Sequence, residues 1–262
     1  MKPMYFDSHA HLDDAKFASL SGGADAVVRA SVEAGVCGIV NVGTNIETSR
    51  ASLELAHRYP FIWAAVGIYP TDAQRLGDGF DAALSKLRGL LNDERAVAIG
   101  EIGLDYHYDD TDRSVQKRAF EAQMELADEL NMPVVIHDRE AHGDVMDIIR
   151  RYSSVRGVMH SFSGSAEMAL ELVRLGWYIS FSGPVTYKNA AKVKSAACAV
   201  PMDRILVETD SPYLPPTPHR GEVNYPGYVA LTLEAIAELR QVSVEELAAA
   251  TAENAVRVFE IS

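Results

Sequence analysis

Six histidine and carboxylate side chains stand out because each lies at the end of a short apolar segment and could bind a cation. His9 and His11 close the first segment, and both leave it on the same side, because side chains alternate along a strand with a period of two. Two imidazoles so placed can meet one cation, although polar residues at a strand end give the same pattern. The other candidates, at the ends of four later segments, are Glu101, His137, His160 and Asp210.

Eight short apolar segments, bounded by Gly, Pro, Asn or Asp, alternate with longer segments of helical spacing. Most are continuous in Val, Ile, Ala and Phe, as expected of parallel strands buried on both faces. They are residues 5–9, 36–42, 62–68, 96–102, 134–137, 157–160, 177–181 and 205–208. Eight such repeats in 262 residues predict an α/β protein, a single (β/α)8 TIM-type barrel over residues 1–262. A doubly wound open sheet has a similar alternation of strand and helix segments and stays the alternative.

Helical segments separate the predicted strands. The clearest is 113–131, in which apolar residues from Val115 to Leu130 form one stripe at a period of about 3.6. The others are 24–34, 47–58, 81–91, 140–152, 166–175, 189–199, 228–240 and 244–259. The Pro-rich segment 211–218 follows the last strand, a place typical of an active-site loop rather than of a hinge between domains.

The six candidates should converge, because the carboxyl ends of all strands in a parallel barrel open onto one face. Taken one at a time, the candidates also have structural explanations: Glu101 could pair with Arg139, and His137 could be a core histidine with its hydrogen bonds satisfied. Charged groups are costly to bury unpaired, so the full set implies cations among them. Mixed imidazole and carboxylate ligands suit Zn, Mn, Fe or Co, and carboxylates with water suit Mg. Six ligands exceed the needs of one tetrahedral ion and predict two ions about 3.5–4 Å apart, bridged by Glu101.

The composition limits the classes of function. Lys plus Arg is 24 and Asp plus Glu is 37, a net charge of −13, so no general basic surface drives nucleic-acid binding. Any nucleic-acid contact therefore needs a local patch or bound metal. Cys37 and Cys198 are predicted to be buried free thiols rather than a disulfide. No signal sequence and no apolar run of about 18 residues is found, so we expect a cytoplasmic protein without membrane contact.

Five sequence blocks carry a family likeness and run in one order along the chain. They are DSHAHL at 7–12, GEIGLDY at 100–106, PVVIH at 133–137, HSFSG at 160–164 and ETDSPYL at 208–214, followed by Arg220, Gly221, Asn224 and Pro226. In these blocks the chain resembles the TatD family of metal-dependent hydrolases, within the wider amidohydrolase-like barrels. The resemblance covers essentially the whole chain.

The resemblance implies a TIM-type barrel and divalent-metal-dependent hydrolysis, with DNase activity, often exonucleolytic, as the commonly assigned reaction. It implies that Asp210 orients and deprotonates the attacking water. It also implies two metal ions with shared ligands: His9, His11, Glu101 and Asp210 for one, and Glu101, His137 and His160 for the other.

Two positions depart from the family pattern. Glu222 follows Gly221 where family members commonly have lysine, and Tyr225 precedes Pro226 where they commonly have glutamate. Glu222 puts a negative charge where a phosphate-facing lysine would be expected. Together with the net charge of −13, this disfavours DNA as the physiological substrate.

Candidate substrate contacts follow the same strand ends. Arg139, Lys188 and Arg220 could touch phosphates. Aromatic rings among these cations could stack the bases of an unpaired strand, or could instead pack the loops. The predicted substrate-binding set is Arg139, Phe162, Tyr187, Lys188, Arg220 and Asn224. His107 and His219, in loops of the same face, stay open as further contacts.

The expected reaction is hydrolysis of phosphodiester bonds in DNA, exonucleolytic and on single strands or 3′ ends. A metal-bound water is the nucleophile, with Asp210 as its base and two Mg, Mn or Zn ions per chain. The alternative is metal-dependent hydrolysis of a small amide, ester or lactone, which a tight apolar pocket would favour. A non-catalytic scaffold would have lost ligands, and none is lost here. The chain is expected to be a monomer.

Overall fold

Eight parallel strands make up the sheet of this protein. The computed structural model describes residues 4–108, 110 and 112–261. The strands are β1 (Tyr5–Ala10), β2 (Val36–Val42), β3 (Ile62–Val66), β4 (Ala96–Asp105), β5 (Val134–Arg139), β6 (Gly157–Met159), β7 (Tyr178–Phe181) and β8 (Ile205–Val207). Their order in the sheet is their order in the chain. A doubly wound sheet reverses its order at a switch point, so the observed order confirms the predicted (β/α)8 architecture and excludes the open-sheet alternative.

Every predicted helix is present, with ends within two residues of the predicted ones. The helices are α1 (Ala15–Ala18), α2 (Gly23–Ala34), α3 (Ile46–Arg58), α4 (Pro70–Leu76), α5 (Phe80–Leu90), α6 (Arg113–Leu130), α7 (His142–Arg151), α8 (Ala166–Arg174), α9 (Ala191–Ala199), α10 (Val229–Arg240) and α11 (Val244–Phe259). The sequence analysis does not predict α1 or α4. Helix α1 is one turn long, and α4 buries only Pro70 and Ala73, so neither has a stripe that a helical period could reveal.

Strand β4 is longer than predicted and continues to Asp105, past its expected end at Ile102. A glycine inside it permits close contact with β5. A Cβ atom on Gly103 would lie 2.1 Å from the carbonyl oxygen of His137, and Gly103 has a φ of +135°, which favours glycine. Gly103 is in register with His137. The longer strand therefore carries the carboxylates of β4 alongside the histidine of β5.

Contacts group the described residues into two compact units. The first runs up to Asn41 and resumes at His160, and the second is Val42–Met159. In the first unit, α10 and α11 pack against β1 and β8; in the second, α3 packs against β3 and α6 against β4. The long helices bury apolar residues against these strands, and this burial forms the core of each unit. The assignment of residues 1–262 to one domain stays a prediction.

Both cysteines are free thiols, as predicted, but the prediction that they are buried is wrong. Cys37 is half-buried and Cys198 is exposed. Alanines dominate α9, and Ala196 and Ala197 occupy its buried side, so the apolar surroundings of Cys198 in sequence do not translate into burial. Within the described residues, no helix combines the length and the apolar character that crossing a membrane requires.

Candidate metal centre

Three predicted ligands meet where β1 and β8 end, in the first unit. The candidate ligand atoms of His9, His11 and Asp210 all lie within 4.8 Å of one another. The two Nε2 atoms of His9 and His11 are 3.1 Å apart, and Asp210 Oδ1 is 3.5 Å from Nε2 of His11. Basic atoms so close together repel unless a proton or a metal ion lies among them. Two imidazoles and one carboxylate are the donor set of many zinc sites.

The backbone holds Asp210 at this position by bonding the loop after β8 to β1. The amide of Asp210 donates to the carbonyl of His9 at 2.9 Å. The fully buried carboxylate of Asp7 accepts hydrogen bonds from the amide and the hydroxyl of Thr209. Asp210 itself has a φ of +55°, a left-handed conformation that Asp tolerates better than most residues. Sequence blocks far apart in the chain are thereby joined directly beneath the ligands.

Asp210 has the protonation state that a ligand or a general base needs. Burial acts to raise the pKa of Asp210, but the hydrogen bond with His11 and the charges of His160 and His9 outweigh it, and the net pKa is lowered. The carboxylate is therefore ionised at neutral pH and can accept a proton or bind a cation.

His160 joins the same cluster, and its orientation is set by a residue that the sequence analysis does not single out. Its ring stacks on that of His9 at 4.0 Å between centroids. Its Nδ1 atom donates to Oε1 of Glu208 at 3.2 Å, and the same oxygen accepts from the amide of Ser161 at 2.6 Å. Since an ionised carboxylate only accepts, Nδ1 carries a proton, and in the neutral ring Nε2 is left as the ligand atom.

The second unit holds the other two predicted ligands on neighbouring strands. Glu101 in β4 is buried, and its Oε1 lies 2.8 Å from Nδ1 of His137 in β5. The other ring nitrogen of His137, Nε2, is 3.0 Å from the hydroxyl of Tyr69. That hydroxyl donates to Oδ2 of Asp105 at 2.8 Å.

Asp105 is a strongly acidic group in this cluster. Burial acts to raise its pKa, but hydrogen bonds from His137, from the His107 amide and from Tyr69 lower the pKa to about 2. Burial, together with the charges of Glu101 and Asp105, raises the pKa of Tyr69 far above its usual range. Tyr69 is therefore a neutral hydroxyl and Asp105 a carboxylate at any physiological pH.

The donor atoms of both units fit divalent metal ions. The first unit offers three imidazoles and a carboxylate, and the second offers a carboxylate and an imidazole. Such mixed nitrogen and oxygen donors suit Zn, Mn, Fe or Co. The six residues predicted from the sequence are therefore divided between two clusters, each assembled within its own unit.

Comparisons with known proteins decide the family. The sequence model of the family described as TatD related DNase matches residues 6–260. This chain belongs to the TatD family. The metal-dependent hydrolase YabD of Bacillus subtilis (strain 168) is 43% identical over 261 residues, which cover 99% of this chain and 100% of that protein. The metal-dependent hydrolase YcfH of Escherichia coli (strain K12) is 39% identical over 257 residues, 97% of this chain and 95% of that protein.

A solved structure of the TatD family shows the same fold. The crystal structure of YjjV, a TatD homologue from Escherichia coli K12, matches with a TM-score of 0.91 and 31% identity, covering 100% of both chains. The match confirms the TIM-type barrel. The protein is thus a metal-dependent hydrolase of the TatD family.

Two of the predicted substrate contacts lie inside this TatD-family barrel instead of on its surface. Phe162 is only 4% exposed and packs edge-on against Phe181. Asn224 is fully buried, and its amide donates to the carbonyls of Thr209 at 2.8 Å and Tyr213 at 2.6 Å. Neither side chain presents appreciable surface to a ligand in this structure, and both hold the loops that carry the ligands.

The cationic candidates lie at the surface. Arg139 and Lys188 are exposed, and the guanidinium of Arg220 lies 4.4 Å above the ring of Tyr187. The hydroxyl of Tyr187 donates to the carbonyl of Pro215, which ties this ring to the Pro-rich loop. The cation and the ring together form a flat polar and aromatic surface.

The two departures from the family pattern belong to one local cluster. Oε2 of Glu222 is 2.9 Å from Nδ1 of His219 and accepts from the hydroxyl of Tyr228 at 3.3 Å. The rings of His219 and Tyr228 stack at 4.1 Å, and Tyr225 packs on Tyr228 at 4.5 Å. The negative charge of Glu222 is therefore engaged by neighbours on its own loop.

His107, the other histidine left open as a substrate contact, lies against a carboxylate. Its Nδ1 atom is 2.8 Å from Oε1 of Glu140.

A cation that the sequence analysis missed lies beside the first cluster. The ammonium of Lys16 in α1 is 4.3 Å above the ring of Tyr213, and that ring meets His11 edge-on at 6.1 Å. The hydroxyl of Tyr213 donates to Asp14, the N-cap residue of α1. Only recognition of the one-turn helix α1 would have revealed Lys16 from the sequence.

Proposed function

We propose that this TatD-family hydrolase cleaves phosphodiester bonds in nucleic acid, as a deoxyribonuclease acting on single strands or 3′ ends. The observation that carries the proposal is the contact of Lys16 with Tyr213 directly beside His11. An ammonium placed over an aromatic ring offers one group for a phosphate and one for a base, the combination used to bind unpaired strands. A small ester, amide or lactone has neither a phosphate nor a base. It would therefore not account for a cation and an aromatic ring placed together beside the ligands.

We propose that all six predicted residues bind divalent ions, two per chain. The proposed ligands are His9, His11, His160 and Asp210 in the first unit and Glu101 and His137 in the second. Support comes from the two donor clusters, each largely buried and assembled in its own unit, and from the chain order of the strands that carry them. Two bound divalent ions lower the pKa of a coordinated water towards neutrality and stabilise negative charge on the phosphate.

The protein's own residues then perform three tasks. The ionised carboxylate of Asp210 accepts the proton of the attacking water. Glu208 and the backbone around it keep His160 oriented. Lys16 and Arg220, each lying over a tyrosine ring, bind phosphates of the strand and leave Tyr213 and Tyr187 to contact bases.

The test compares substrates on the same protein. Metal-stripped protein is resupplied with Mg, Mn or Zn and assayed on end-labelled single-stranded DNA and on a set of small esters, amides and lactones. Metal-dependent release of labelled nucleotides, with turnover of the small substrates far slower, is the expected result. The reverse order of activities would replace the nuclease with the small-molecule hydrolase.

A further inference from the structure

We infer that Tyr69 and Asp105 are positioning residues for the metal centre, because they hold the proton of His137 on Nε2 and thereby aim its Nδ1 lone pair towards the cation that Glu101 binds. The inference rests on the proposed role of His137 as a ligand and deepens it. Neither Tyr69 nor Asp105 is itself a proposed ligand.

The hydrogen bonds of Tyr69 place a proton on Nε2 of His137. A carboxylate can only accept, so the hydroxyl proton of Tyr69 is donated to Oδ2 of Asp105 at 2.8 Å. A tyrosine has one hydroxyl proton, so at its contact of 3.0 Å with Nε2 of His137 the oxygen must accept. Nε2 of His137 therefore carries a proton, and in a neutral ring Nδ1 carries none.

The opposite side of the ring then faces a second acceptor. Nδ1 of His137 lies 2.8 Å from Oε1 of Glu101. A lone pair and a carboxylate oxygen at this distance repel each other unless a positive charge lies between them. A proton supplies that charge when the ring is protonated, and a divalent ion bound to both atoms replaces it when metal is present.

Both members of the pair are fixed by further contacts. Asp105 is fully buried, and its other oxygen, Oδ1, accepts from the amide of His107 at 3.0 Å. Tyr69 is the N-cap residue of α4, and its amide donates to the carbonyl of Thr44 at 2.7 Å. Its ring meets that of His137 edge-on at 4.8 Å. The hydrogen bond of Tyr69 to the imidazole is therefore supported by side chains that are buried or half-buried.

His160 has the opposite arrangement, with its proton held on Nδ1 by Glu208 at 3.2 Å. The imidazoles of His137 and His160 are therefore held as opposite tautomers through different carboxylates. Outer hydrogen bonds of this kind fix the tautomer and orientation of metal-binding histidines, and their loss typically lowers metal affinity about 10- to 100-fold.

The test reads the tautomer directly and does not require activity. Protein labelled with ¹⁵N-histidine is stripped of metal, and long-range ¹H–¹⁵N spectra are recorded at a pH where the ring is neutral; His137→Asn identifies the signals. We expect His137 to carry its proton on Nε2 in the native protein and to populate the other tautomer in Tyr69→Phe. Zinc competition with a chromophoric chelator should show that zinc binding to Glu101 and His137 is weakened about 10- to 100-fold.

Tyr106→Phe is the matched control, because the hydroxyl of Tyr106 also donates to a carboxylate, that of Asp144 at 2.7 Å, in the same unit. It should change neither readout. Asp105→Asn serves as a second variant, and circular dichroism of every variant checks the fold.

A native His137 with its proton on Nδ1, or unchanged zinc affinity in both Tyr69→Phe and Asp105→Asn, would overturn the inference. Failure of the nuclease proposal would look different, since an absence of DNA cleavage would leave the tautomer and the zinc affinities as described.

Discussion

Replacing Glu208 by glutamine should weaken metal binding without weakening the fold. The carboxylate accepts two hydrogen bonds on Oε1, from His160 and from the amide of Ser161. Its other oxygen, Oε2, is buried and has no hydrogen-bond partner among the residues that the structure describes. Glutamine keeps the size of the side chain and removes the charge.

In the metal-free protein, this substitution has two opposing effects on the free energy of unfolding. A hydrogen bond to a charged group contributes about 1.5–3 kcal/mol and a neutral one about 0.5–1.5 kcal/mol, so two weakened bonds lose about 2 kcal/mol. Removing the buried charge returns about 1–3 kcal/mol of desolvation cost, even though the amide nitrogen that replaces Oε2 also lacks a partner. The free energy of unfolding of Glu208→Gln should therefore stay within about 1 kcal/mol of the native value.

For metal affinity, no opposing effect offsets the loss. The glutamine no longer holds the proton of His160 on Nδ1 by charge, so affinity for the ion that His160 binds should fall about 10- to 100-fold. Urea unfolding of metal-free protein and zinc competition measure the two quantities, with the exposed Glu238→Gln as control. A loss of several kcal/mol in stability with unchanged zinc affinity would refute the reasoning and make Glu208 a purely structural residue.

Three further substitutions separate structural from binding roles. Phe162→Ala should lower the free energy of unfolding by about 3–5 kcal/mol through lost burial, and a stable variant with raised KM for DNA would instead make Phe162 a stacking residue. Asn224→Ala removes the donor to the carbonyls of Thr209 and Tyr213, the first of them buried, and should cost about 2–4 kcal/mol, measured by urea unfolding; an unchanged midpoint would contradict this. Lys16→Ala should raise KM for single-stranded DNA several-fold with little change in the KM of a small ester, whereas Lys192→Ala on the surface of α9 should change neither.

Much of the fold could be predicted because its signals are local. Continuous apolar segments identified all eight strands, and helical periods identified the long helices. The end of β4 was misplaced because no pattern in the sequence shows that the missing Cβ of Gly103 serves the close approach of β5. The short helices α1 and α4 have no apolar stripe, so no periodicity could reveal them.

The candidate ligands could be predicted because they follow strand ends, a position that a sequence reveals. The groups that orient them could not, since Glu208, Tyr69 and Asp105 are recognised only by which atom each one contacts. Asn224 shows the converse: its place in a family block indicated a substrate contact, but its burial and its two carbonyl partners are properties of the folded loop. The sequence pattern therefore predicts which positions carry candidate ligands, whereas the role of each side chain follows from its contacts in the folded protein.

The most direct test of the central claim is cleavage of 3′-labelled and 5′-labelled single-stranded DNA by the native protein and by Asp210→Asn, after metal removal and resupply. Asp203→Asn, at an exposed carboxylate before β8, is the matched control. The account predicts metal-dependent cleavage by the native protein and the control, and loss of nearly all turnover in Asp210→Asn with the fold intact. Full activity of Asp210→Asn, or cleavage that persists without metal, would contradict it.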